Sequence, residues 1–201
     1  GFKSRGSHGT DLTTYSCEKN GLYAGGSDSI FTNIDTGQCG EHCVLLTGNG
    51  ASSQIVGLKA WFAGSPAFHG GVSFADYDGV RCDSCVGWTI KGQTQENGGA
   101  GFTGNGTASA PVNSLQVDII SDSDNAAGGS RPSVNLFRVN NSSVNVVSTI
   151  NANGLGIPNN GLAINTSVGN VVTVTAQSYA ANPTSGVWTN NTIAIAGRQG
   201  T

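Results

Sequence analysis

Residues 162–178 read LAINTSVGNVVTVTAQS. Two β-branched runs, Leu162–Val168 and Val171–Ser178, flank Gly169-Asn170. A side-chain period of two marks each run as a strand. A Gly-Asn pair between two such runs predicts a tight hairpin, because a two-residue turn needs positive φ. That reading makes the sheet antiparallel. It also carries a conflict: Leu162 and Ile164 suggest an inward face with Asn165 outward, yet a two-residue turn sets Asn165 opposite Val174. A bulge or a strand covered on both sides would reconcile them.

Working outward, Ser114–Ser121 alternates Leu115, Val117 and Ile119 with Gln116 and Asp118. Ser133–Val139 and Ser143–Ile150 follow, joined by Asn140-Asn141-Ser142, and Val187–Ala196 closes the series. These six short runs are rich in Val, Ile and Thr and predict an all-β, antiparallel β-sandwich, immunoglobulin-like or jelly-roll-like. In the first half, Leu22–Ala24, Ser29–Ile34, Cys43–Thr47, Ser53–Phe62, Gly71–Val80 and Val86–Lys91 continue the pattern. Trp61 and Phe62 are expected in the core, since large aromatics dominate burial; sugar stacking is their alternative. No repeat of fixed period is evident.

The composition suggests four segments. Residues 1–14 read as a flexible or partner-ordered arm, 15–97 as a cysteine-containing β region, 98–111 as a Gly-rich linker or loop, and 112–201 as the sandwich; 15–201 as one domain is the alternative. Charged residues are 10% of the chain and the formal charge is −3, which gives no basic footprint for nucleic acid. No apolar run reaches the ~20 residues of a membrane span. The chain begins at Gly1 and has no Met, as expected of a processed, extracellular chain.

All five cysteines, Cys17, Cys39, Cys43, Cys82 and Cys85, lie in the first half. An exported chain predicts two disulfides and one odd thiol among them, in about fifteen possible pairings. Cys39, His42, Cys82 and Cys85 form an alternative zinc set. Asp118, Asp122 and Asp124 are a calcium alternative without the full EF-hand spacing. Asn105, Asn140, Asn141, Asn165 and Asn190 head glycosylation sequons.

Hydrolytic chemistry has less support: no Gly-x-Ser-x-Gly elbow accompanies the histidines. Asp76 or Asp78 with Glu41 or Glu96 would need the fold to unite them as a glycosidase pair. The function expected from sequence is therefore non-enzymatic and cofactor-free: a subunit of an extracellular filament, pilus-like fibre or surface coat. Its partners would be copies of itself, joined by β-strand contacts, with covalent glycans on the sequons. The alternatives are a carbohydrate-binding sandwich stacking sugar on Trp61, Trp88 or Trp188, with Trp188 foremost, and a secreted hydrolase.

Overall fold

The computed structural model describes residues 1–122, 124–127, 132–149, 162–179 and 184–199. The chain is all-β, as expected, but it is neither a sandwich nor antiparallel. Among the described residues sixteen strands join in one sheet, and every described pairing is parallel, from Phe2↔Leu22 at one end to Val171↔Thr192 at the other. The described residues wind as a parallel β-helix of eight stacked coils.

Two faces carry most of the pairing. On one, His8–Tyr15, Ile30–Cys39, the second part of Val44–Ala63, the second part of Val80–Gln95, Gln116–Asp122, Ser143–Thr149, Val171–Tyr179 and Thr192–Gln199 stack in order. On the other, Phe2–Arg5, Leu22–Gly25, the first parts of the two long strands, Phe102–Asn105, Val134–Phe137, Leu162–Val168 and Thr184–Thr189 do the same. The short strands Val112–Asn113 and Val139–Asn140 add a narrow third side.

The period-two patterns survive because each coil has an inside and an outside. Leu115, Val117 and Ile119 are buried while Gln116 and Asp118 are exposed. Stacking then sets like on like. Phe31, Ile55, Ile90, Val117, Val144 and Val172 occupy one inward column across successive coils, all nearly inaccessible. Leu22, Val44, Val80, Phe102, Val134 and Leu162 form its counterpart on the other face. A single core runs from Cys17 to Val174.

The corner before the first face explains why the hairpin reading fails. A type I′ hairpin needs positive φ at both central residues. Here Gly169 has φ 71° and Asn170 does not share it. The equivalent residue of every coil does the same: Gly6, Asp28, Ser52, Gly87, Ser114, Asn141, Gly169 and Asn190 have φ between 49° and 75°. One left-handed residue turns the chain from face to face without reversing its direction. Leu162–Val168 and Val171–Tyr179 are therefore not partners; each pairs with coils above and below.

The face conflict disappears with the hairpin. Leu162, Ile164, Val172 and Val174 all point inward, Asn165 points out, and a register shift between Asn165 and Ser167 supplies a bulge.

A ladder follows each corner. The next residues, in coil order, are Ser7, Ser29, Ser53, Trp88, Leu115, Ser142, Asn170 and Asn191. Ser29 N–H donates to Ser53 Oγ (2.9 Å), Leu115 N–H to Ser142 Oγ (3.0 Å), Ser142 N–H to Asn170 Oδ1 (3.0 Å) and Asn170 N–H to Asn191 Oδ1 (2.9 Å). The corner amides point along the stack, and these side chains satisfy them where burial would otherwise leave them unpaired.

Residues 1–14 contain Phe2–Arg5 and most of His8–Tyr15, strands of the first two coil positions. The expected strand Gly71–Val80 is mostly loop, and Val187–Ala196 is two strands around Asn190-Asn191. The five cysteines are free, buried thiols. Among the described residues no helix is long and apolar enough to cross a membrane.

Candidate active-site groove

After the first-face strands the chain makes a second corner. Ser16, Gln38, Phe62 and Glu96 have φ between 49° and 57° there. Residues 17–21, 40–43 and 64–79 then lead to the other face. The first two turns stack closely: Gly40 N–H donates to Cys17 O (2.7 Å) and Glu41 N–H to Lys19 O (3.3 Å). The third is an extended loop with a single 3₁₀ turn, Pro66–Phe68. It is tied down by Gly64 N–H to Glu41 O (3.1 Å), Ser65 N–H to Cys39 O (2.8 Å) and Ala75 N–H to Gly64 O (2.8 Å).

The loop folds over the two short turns and leaves a groove of about 540 Å³, lined by Glu18, Lys19, Gly40, Glu41, Ala67, Phe68, His69 and Tyr77. A second depression of about 340 Å³, lined by Gly1, Phe2, Lys3, Lys19, Asn20 and Tyr23, shares Lys19 with it. Asn20 Nδ2 donates to Glu41 Oε2 (3.1 Å), linking the two, while Asn20 Oδ1 is buried without a hydrogen-bond partner. Lys3 Nζ lies 5.1 Å from the centre of the Tyr23 ring.

One wall of the groove is rigid. His69 stacks on Tyr77 (5.9 Å, 22°), and His42 meets Tyr77 edge-on at 5.1 Å. His69 Nε2 donates to Gly40 O at 2.6 Å. His42 Nδ1 accepts the Asp78 N–H at 2.9 Å. Burial lowers the His42 pKa against the opposing pull of Asp78, so the ring stays neutral and its 3.8 Å approach to the Asp78 carboxylate is not an ion pair.

Of the carboxylates considered for a glycosidase pair, Glu41 alone lines the groove. Asp78 is buried; it accepts the Ala100 N–H (2.9 Å) and lies 3.4 Å from Arg81 Nη1. Glu96 is also buried, and Asp76 lies on the exposed part of the loop. The other carboxylate that lines the groove is Glu18, which sequence reasoning missed. Its signal was present: Cys17-Glu18 and Cys39-Gly40-Glu41 sit one coil apart, in line with Tyr15↔Gly37.

The metal alternatives are dispersed. Among the described residues no three His, Cys, Asp or Glu side chains are grouped to hold an ion. Cys39 lies within hydrogen-bonding reach of Cys43 and Cys17, and the Cys43 thiol chiefly holds its pKa down. Cys82 instead neighbours Cys85, and burial pushes its pKa up. Asp118 is on the outer surface, bonded to Asn145 Nδ2 (2.9 Å), and Asp122 accepts Thr149 Oγ1 (3.1 Å). Asp124 is inside, accepting Ser121 Oγ (2.6 Å), Thr94 Oγ1 (2.7 Å) and both nitrogens of Asn97.

Of the sequon residues, Asn141, Asn165 and Asn190 are exposed. Asn105 donates to Asp83 (2.9 Å), and Asn140 accepts the Val168 N–H (3.2 Å). Trp88 is fully buried, whereas Trp61 and Phe62, expected in the core, are half-buried on the outer surface. The side chain of Trp188 lies outside the described residues.

No protein-family model matches the chain, and no curated protein matches it. Solved structures that share its fold include two of bacteriophage tailspike proteins. One is the full-length tailspike protein 2 of an Escherichia coli O157:H7 bacteriophage, with TM-score 0.65 and 18% identity over 97% of this chain. The other is described as the enzymatically active domain of the tailspike protein 2 of bacteriophage CBA120, with TM-score 0.58 and 16% identity over 88% of this chain. The chain spans 28% and 27% of those two structures. The non-enzymatic expectation is corrected here: the coil architecture is shared with a domain described as enzymatically active.

Proposed function

We propose that this chain is a β-helical segment of a tailspike-like protein facing the extracellular medium, and that its groove binds and hydrolyses a polysaccharide. The observation that carries the reading is the pairing of Glu18 and Glu41 in one groove walled by Phe68, His69 and Tyr77. Two carboxylates flanking a bound glycosidic bond are the usual requirement for its hydrolysis. Aromatic walls suit the apolar faces of sugar rings, and the shared Lys19 extends the groove toward Phe2 and Tyr23, giving length for a polymer. The likeness to tailspike structures supports the same reading.

In this mechanism Glu41 and Glu18 divide the roles of acid and of base or nucleophile between them, and Asn20 Nδ2 orients the Glu41 carboxylate. Assembly with other copies of the chain belongs to this proposal.

The test is release of new reducing ends from purified O-polysaccharides of Escherichia coli strains. Glu41→Gln and Glu18→Gln are expected to lose about 10²–10⁴-fold in rate while keeping the native circular dichroism. Equal rates in wild type and both variants would discard the groove as the reacting centre.

A further inference from the structure

Outside the groove, on the outer surface of the first face, three coils build an aromatic bracket that the fold does not require. The register Tyr15↔Gly37↔Trp61 sets these residues in one outward line across successive coils. Tyr15 is 49% exposed and Trp61 half-buried. Between them Gly37 has no side chain, and the indole occupies that space: a Cβ at Gly37 would collide with the ring. The Tyr15 and Trp61 rings meet at 5.4 Å and 57°.

Asp35, from the same strand as Gly37, fixes both. Its Oδ2 accepts the Tyr15 hydroxyl at 2.7 Å and its Oδ1 accepts Trp61 Nε1 at 2.8 Å. The bond to Asp35 also raises the Tyr15 pKa, so the phenol keeps its proton. Phe62 braces the indole edge-on at 5.1 Å, and Phe74 from the 64–79 loop braces Phe62 at 5.5 Å. Lys59 Nζ stands 5.9 Å from the indole centre.

We propose that this Tyr15–Trp61 bracket is a second carbohydrate-binding site, which takes a pyranose ring by stacking and holds a glycan beside the groove. Leaving a tryptophan half in water gives up burial. Spending a glycine, a carboxylate and two phenylalanines on its orientation prepares a flat apolar surface instead. Rings already fixed lose little freedom when a ligand arrives. The flanking charges define the ligand class. Each Asp35 oxygen keeps accepting capacity after its one bond, and the Lys59 ammonium donates, so both suit hydroxyls around the rim of a sugar whose C–H face lies on the ring. A purely apolar ligand would leave them unused. The inference rests on the glycan reading of the groove for its biological sense, but none of these residues lines the groove.

The experiment is calorimetric titration of the full chain with cellohexaose and chitohexaose. Four variants are compared with wild type: Trp61→Ala, Tyr15→Ala, Gly37→Ala and Glu41→Gln. Tyr15→Ala truncates an exposed side chain, and Gly37→Ala displaces the indole without removing it, so the result does not depend on Trp61→Ala folding. The expected result is saturable binding by wild type and Glu41→Gln, weakened about tenfold or more in the bracket variants. No binding of either oligosaccharide by wild type overturns the proposal. So does binding that survives in Tyr15→Ala and Gly37→Ala but is lost in Glu41→Gln. A change in sedimentation on Tyr15→Ala, marking the bracket as a contact between copies, overturns it as well. Oligosaccharide binding by a wild type that cleaves no polysaccharide would instead count against the groove reading alone.

Discussion

Asn191 Oδ1 accepts both the backbone N–H and the Nδ2 of Asn170, one coil away, at 2.9 and 2.8 Å. Asn170 in turn accepts the Ser142 N–H at 3.0 Å and donates to Val139 O at 2.7 Å. It is 1% exposed. Asn170→Ala strands a buried donor and a buried acceptor and is expected to cost about 2–4 kcal/mol. Asn170→Ser, which imitates Ser142 in the same ladder, should cost about half as much. Urea denaturation checks both; equal stability of wild type and Asn170→Ala would refute the ladder as a stabilising device.

The left-handed corners make a separate prediction. Asn141 (φ 49°) and Gly169 (φ 71°) hold the same place in adjacent coils. Asn141→Gly is expected to be neutral or slightly stabilising, because glycine adopts this backbone freely. Asn141→Val should cost about 1–2 kcal/mol, since a β-branched residue pays most for it. Thermal unfolding of the pair, compared with Asn145→Val on the exposed strand, isolates the corner.

Asp124 predicts an unusual pH dependence. Burial pushes its pKa up from 3.8 to about 6, against the four donors that favour the anion. As pH falls through about 6, the folded chain takes up a proton that the unfolded chain binds only near pH 4. This group therefore contributes stability below pH 4 that is lost as pH rises through about 6, on the order of 1–3 kcal/mol. Asp124→Asn should remove that component, so the stability difference between wild type and variant should change across pH 4–6. A constant difference would mean that Asp124 does not titrate there.

The cysteines give a chemical test. All five are buried thiols, and burial pushes the Cys43 and Cys82 pKa values well up. The native chain is expected to react slowly with an aromatic disulfide reagent at pH 7, because the thiolate is the reactive form. Unfolding in guanidinium should release five equivalents. One equivalent would instead restore the two-disulfide pattern expected from sequence.

Parts of the site were legible before the fold. Glu41 and Trp61 stand out in the sequence, one as a carboxylate near cysteines and the other as a large aromatic. Their partners did not, because Glu18, Tyr15 and Asp35 lie more than twenty positions away and meet them only through coil stacking. The loop from Gly64 to Gly79 resembled a strand at its end because Val72, Phe74 and Val80 are apolar, yet Val72 is 90% exposed.

The sequence by itself determined where most strands form and, in the alternating runs, which side chains turn inward. Those are properties of one strand and its alternation, and Leu115, Val117, Ile119, Leu162 and Ile164 are buried as their spacing requires. Strand direction and partner were decided only by the tertiary structure. Read as sequence, a Gly-Asn pair such as Gly169-Asn170 suits a hairpin turn or a solenoid corner equally well. The coil length that distinguishes them varies from 20 residues, Phe2 to Leu22, to 36, Val44 to Val80. That variation hides the repeat from any fixed period. Stacking tolerates it because a long insertion such as residues 64–79 leaves at a corner, while the inward columns keep their register and exclude water.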